Sequence, residues 1–140
     1  MKLVIAGCRD LFPEIQDIAL IMEKASITIQ DIEEVVSGKA KGVDTKGELF
    51  AEANGLKVKE FPAEWHKYKR QFGKGNPAGV IRNAQMAQYC DNAILIWDGQ
   101  SRGTKNMKEN MDKLGKPYFL VIVTDNEYTT FKYKWFNVGI

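Results

Sequence analysis

Apolar residues follow two alternating rhythms along this chain. Short apolar or β-branched runs occupy residues 3–6, 33–37, 56–61, 92–97 and 118–123. Runs of this length, bounded by glycine, proline or charge, predict buried strands. Between them the apolar positions recur three and four residues apart. Ile15, Ile18, Ala19, Met22 and Ala25 predict a helix facing the sheet, with Pro13 in its first turn. Leu49, Phe50 and Ala53 mark a second helix that stops at Asn54–Gly55. Ile81, Ala84 and Gln88 share a face of a third, which Pro77 opens. Met107, Met111 and Leu114 mark a fourth, ended by Gly115.

Strands that alternate with helices predict an α/β fold with a parallel sheet and right-handed crossovers. The nearly unbroken apolarity of residues 92–97 fits a strand covered on both faces. The preferred strand order is 3-2-1-4-5. It puts a switch point between the first and fourth strands and gathers there the loops after strands one, two and four.

Two stretches stand apart from this pattern. Residues 62–76 read as the longest irregular segment, with Trp65, His66, Tyr68, Arg70 and Phe72 among Lys67, Lys69 and Lys74. Long loops in compact domains are often binding loops or lids, and this mixture can stack a base or hold a phosphate. In the tail, Phe131, Tyr133 and Trp135 alternate with Lys132 and Lys134, which predicts an added strand or a docked extension. An exposed aromatic strand is an aggregation hazard, so these rings are expected to be largely buried on the domain or on a second subunit. The chain therefore divides into a domain of residues 1–123 and a C-terminal extension of residues 124–140, and a homo-oligomer is expected.

Composition narrows the function classes. The 140 residues fit one domain, at 44% hydrophobic and 27% charged. A net charge of +2 is too mild to argue for nucleic acid or an anionic membrane. Cys8 and Cys90 have no metal-ligand spacing, and His66 is the only histidine, so neither a metal nor a cofactor is expected. The opening MKLVIAGCRD reads as a strand and turn rather than a targeting segment, and no apolar run reaches membrane length. A cytoplasmic protein with reduced thiols is the expectation.

Candidate chemistry lies in two glycine turns that each join a strand to a helix. The first, residues 33–44, carries Ser37, Gly38, Gly42 and Asp44; the second, residues 94–104, carries Asp98, Gly99, Ser101, Gly103 and Thr104. Backbone N–H groups in such turns, with those of the helix start, suit phosphate. The alternative is a tight turn with no ligand, in which Thr104 caps its helix. Arg9 can reach across the switch point or form a surface ion pair. Arg82 with Asn83 can offer a phosphate the fixed donor fork of arginine or lie on a solvated helix face. Asp44 can cap its helix or accept a ribose hydroxyl. Glu48 follows it by one helical turn, so the two carboxylates can share a face for acid–base work or simply complement the helix dipole. Cys8 has no histidine in an adjacent motif to activate it as a nucleophile.

The motifs GCRD (7–10), VVSGKAKGVD (35–44), PAEW (62–65), AGVIRNAQM (78–86) and WDGQSRGTKNM (97–107) occur in this order. Together they resemble the small YspA-like proteins of the SLOG superfamily, relatives of the LOG-type nucleotide hydrolases and of DprA. The resemblance spans roughly residues 1–123. It implies a Rossmann-like three-layer fold that binds a nucleotide or nucleotide-derived ligand through phosphate-binding loops. It implies binding roles for Gly7, Arg9, Ser37, Gly38, Gly42, Asp44, Arg82, Asn83, Asp98, Gly99, Ser101, Gly103 and Thr104. Cys8 stands where these relatives more often have serine, and Lys39 where they often have glycine. Met107 occupies the position of the LOG-type catalytic glutamate, so that catalysis does not carry over by motif. The leading expectation is a binder or sensor of a nucleotide-like molecule. The second is a hydrolase of an N-glycosidic or phosphate bond, with Glu48 or Asp44 as its carboxylate. The third is single-stranded nucleic-acid binding.

Overall fold

A computed structural model describes residues 1–72, 75–124, 128 and 131–139, apart from the side chains of 70–72. Five parallel strands form its sheet: β1 (Lys2–Gly7), β2 (Glu34–Ser37), β3 (Lys57–Glu60), β4 (Asn92–Trp97) and β5 (Tyr118–Ile122). A sixth, β6 (Lys132–Phe136), pairs antiparallel with β5, and the order is β3-β2-β1-β4-β5-β6. The expected 3-2-1-4-5 order is thus present, and the aromatic tail adds a strand to its edge.

Alternation along β1 explains the layers. Leu3 and Ile5 point to one face, where they meet α1 (Ile15–Ala25) and α2 (Val43–Ala53) through Ile18, Ile21, Val43 and Phe50. Val4 and Ala6 point to the other face and meet α4 (Ala78–Tyr89) and α5 (Arg102–Leu114) through Met86, Met107 and Met111. Both faces of β1 and β4 are therefore dry, and their apolar runs are continuous for that reason. The edges carry charge instead. Lys57, Lys59 and Glu60 are exposed on β3, as are Lys132 and Lys134 on β6, which discourages pairing with other chains.

Three expectations differ from the structure. Residues 62–76 are not irregular throughout, because Trp65–Phe72 forms a helix, α3. Its aromatic positions 65, 68 and 72 have helical spacing, a periodicity hidden among the cations between them. The side chains of Arg70 and Phe72, and all of Lys74, lie outside the described residues. The face of α4 is rotated from the expected one, with Ala78, Arg82, Asn83, Met86 and Ala87 buried and Gln88 exposed. Two polar residues on the inner face shifted the apparent apolar phase. In the tail, Trp135 and Tyr133 pack on Phe119 and Phe136 stacks on Tyr118 at 5.0 Å. Phe131 and Trp135 are half-buried and Tyr133 stays exposed, since an edge strand has a neighbour on one side only. Among the described residues no helix is long and apolar enough to cross a membrane.

The turn between β2 and α2 passes unusually close to the end of β1. Gly42 has φ +76°, and a Cβ built there would lie 2.4 Å from the Cys8 carbonyl oxygen and 2.6 Å from that of Arg9. Both obstacles are backbone, so neither can swing aside. Gly55 also has positive φ, but a Cβ there meets nothing within 4 Å. Gly42→Ala is expected to cost about 2–4 kcal/mol of stability, against about 1 kcal/mol for Gly55→Ala. Urea midpoints of the two variants will show the difference.

Candidate functional site

Parallel strands place all their carboxyl ends on one edge, and the loops after β1, β2 and β4 meet there. Cys8 ties them together. Its N–H donates to the Ile96 carbonyl at 3.2 Å, and its own carbonyl accepts the Val43 N–H at 3.2 Å. The Asp98 N–H points to its sulfur at 3.3 Å, and the Thr104 hydroxyl lies 3.9 Å from that sulfur. Burial raises the thiol pKa above its ordinary value, so Cys8 is protonated and structural rather than a thiolate nucleophile.

Over this junction lies a cavity of about 540 Å³. Gly7, Arg9, Asp44, Arg82, Asn83, Asp98, Ser101, Gly103 and Thr104 all line it. Ser37, Gly38, Gly42, Gly99 and Glu48 do not. Ser37 is fully buried, and its hydroxyl donates to Glu48 at 2.6 Å. Glu48 also receives Lys39 at 3.0 Å, and Lys39 reaches Glu60 at 3.3 Å. Two carboxylates thus hold the Lys39 cation. Lys39 also sits at φ +61°, a left-handed conformation that glycine adopts without cost. Gly99, at φ +83°, shapes the turn in which the Asp98 carboxylate accepts the N–H groups of Gln100 and Ser101, both at 2.8 Å. Those bonds lower the pKa of Asp98.

The α5 end of the cavity is an uncapped helix start. Ser101 precedes the helix and makes no side-chain cap bond, and Thr104 lies inside the first turn instead of capping it. The first N–H groups of a helix have no partner within it. Asn83 fixes this end, since its amide donates to the Gly103 carbonyl at 3.2 Å and to Asn106 at 3.0 Å. Asn106 was not anticipated, although it follows Gly103 by three residues and so shares its helix face.

Arg82 and Asp44 form the buried polar centre. The Arg82 guanidinium donates to the Gly38 carbonyl and, at 3.0 Å, to Asn83. Asp44 is 4% exposed and accepts the N–H groups of Gly7 at 3.3 Å and Ala40 at 3.4 Å. Asp44 does not cap α2, because Gly42 holds the capping position. Burial pushes the Asp44 carboxyl up to about 6, against the pull of the nearby Arg82 charge. Among the described residues, no group of three or more His, Cys, Asp or Glu is set to hold a metal ion.

No protein-family model matches the chain, and no curated protein matches it. A solved structure does, and it sets the fold. The chain has the fold of DNA processing protein A (DprA) from Streptococcus pneumoniae. The TM-score is 0.64 at 19% identity, over 91% of this chain and 52% of the DprA chain. The chain thus spans about half the length of that DprA structure. DprA is a SLOG-type Rossmann-like protein, and at this identity the likeness is one of backbone architecture.

The raised Asp44 pKa has a consequence for folding. The folded carboxyl holds its proton up to about 6, the unfolded one only to its ordinary 3.8. Folding takes up a proton between these values, so the contribution of Asp44 to stability is present at low pH and is lost as pH rises through the folded pKa. Relative to Asp44→Asn, the parent should lose about 3 kcal/mol between about pH 3 and pH 7. Denaturant unfolding of both proteins across that window will measure it.

Proposed function

We propose that this protein binds a nucleotide or nucleotide-derived small molecule in the cavity at the carboxyl edge of its sheet, as a YspA-like member of the SLOG group. The observation that carries the proposal is the meeting, in one cavity, of the uncapped α5 start with Arg9 and Arg82. An uncapped helix start offers backbone donors and a positive dipole end to a phosphate. Arg82 has five N–H donors, and its two protein bonds occupy two of them. Arg9 is exposed, so its cation can turn toward the ligand. The volume suits a small molecule, and the Trp65 ring, 44% exposed on the same wall, offers a base a stacking surface.

The site's chemistry favours binding without turnover. Met107 lines the cavity where LOG-type hydrolases have a glutamate. Glu48 is held by Ser37 and Lys39, which leaves Asp44 as the carboxylate of the proposed acid–base pair that faces the cavity. DprA is named for DNA processing, which keeps a nucleic-acid ligand as the competing reading. The mild net charge of +2 favours the small molecule.

Gly103 provides the test, because it lines the cavity and a Cβ there meets nothing within 4 Å. Valine exceeds glycine in helix propensity, so Gly103→Val should fold while its side chain occupies ligand space. It is expected to weaken nucleotide binding at least about tenfold. Arg9→Ala should weaken AMP, ADP and ATP more than adenosine. Isothermal titration of both variants, with circular dichroism to confirm folding, will decide. Unchanged affinities in both would remove the ligand from this cavity.

A further inference from the structure

A second cavity, of about 660 Å³, adjoins the first, and the two share Arg9, Asp10, Ala40, Trp65 and Arg82 as a common wall. The Gly38–Lys41 turn lines it, and Phe12 belongs to it alone. Resting on the nucleotide-binding reading above, we propose that the ligand carries two nucleobases bridged by phosphates, with one nucleoside in each cavity and the phosphates across the shared wall.

Three observations converge on that chemistry. The first is the placing of charge. Arg9 and Arg82 belong to both cavities, while Arg102 lines only the first and Lys41 only the second. Lys39 contributes little, because Glu48 and Glu60 already hold its ammonium. The two cations common to both cavities are thus arginines, where a bridge of phosphates would cross, and Arg102 and Lys41 add one cation to each cavity. The second is the placing of aromatic rings. Phe12 is 56% exposed and Trp65 is 44% exposed, so each ring has surface open to a ligand. Trp65 lines both cavities and Phe12 only the second, so two rings are available to stack two bases. The third is the setting of Trp65. A Cβ on Gly79 would lie 3.4 Å from the edge of the indole, so α4 leaves room for the ring to lie close. The Trp65 carbonyl accepts the Asn76 side-chain amide at 2.8 Å, which anchors the start of α3.

A compact two-base ligand fits this arrangement better than a long strand. A strand needs a continued track of cations. Here Asp10 lies on the shared wall, and Lys39, which lines the second cavity, is already paired with two carboxylates.

Isothermal titration with diadenosine polyphosphates of increasing bridge length, with ATP, and with oligothymidylate tests the proposal. One of the diadenosine compounds is expected to bind the parent about tenfold tighter than ATP. Phe12→Ala should cut that advantage about fivefold or more and leave ATP affinity and melting temperature unchanged. Three outcomes would overturn the two-cavity ligand: equal affinity for ATP and every diadenosine compound, an advantage that survives Phe12→Ala, or oligothymidylate as the tightest binder. In the first two, intact ATP binding would leave the single-cavity reading standing. Failure of ATP and of every diadenosine compound to bind would remove both readings.

Discussion

The site depends on how one buried guanidinium is satisfied. Arg82 sits on α4, on one face of the sheet, yet its hydrogen bond reaches the Gly38 carbonyl in the turn that leads to α2, on the other face. It thereby bridges two layers over the open end of the sheet. A buried cation is tolerated only with compensating partners, and Asn83, Gly38 and the Asp44 carboxylate provide them. Each partner is in turn fixed elsewhere: Asn83 by α5, Asp44 by Gly7 and Ala40. Removing Arg82 would leave Asp44 without its nearby cation, and much of the cost would come from that orphaned group.

The same network explains why the cavity exists before any ligand enters. Three elements converge on the switch point, and close backbone approach at Gly7 and Gly42 brings them together. A Cβ on Gly7 would lie 2.1 Å from the Ile96 carbonyl oxygen, so β1 and β4 can run side by side to their very ends only with glycine there. With the floor set by backbone contacts and the walls by side-chain hydrogen bonds, the donors that line the cavity are preorganised, which would lower the ordering cost of the proposed binding.

Much of this was legible in the sequence, and the illegible parts share a cause. Asn92–Trp97 announces a central strand because both of its faces are covered, and strand–helix alternation then leaves few topologies. The glycine turns mark where the chain bends at the carboxyl edge. Periodicity misled where polar residues are buried for their own reasons. Arg82 and Asn83 lie on the inner face of α4, so an apolar template finds the wrong face. Trp65, Tyr68 and Phe72 are spaced as a helix, yet the cations around them suggest a loop. Nor could spacing reveal that Ser37 and Glu48 bond each other beside the cavity rather than in it. That depends on side-chain direction, which sequence distance does not encode.

The reversed direction of β6 has a practical consequence. β5 runs toward the cavity edge, so its antiparallel partner carries the chain back to the opposite edge, where Phe136 pairs with Tyr118. Met1 begins at that same edge, with its amino group on the Asp31 carbonyl at 2.6 Å. Both described ends therefore leave the sheet on the side away from the cavity. A fluorophore, an affinity handle or a surface tether fused at either end would face away from the cavity mouth, so immobilised protein should present that mouth to solution from either orientation.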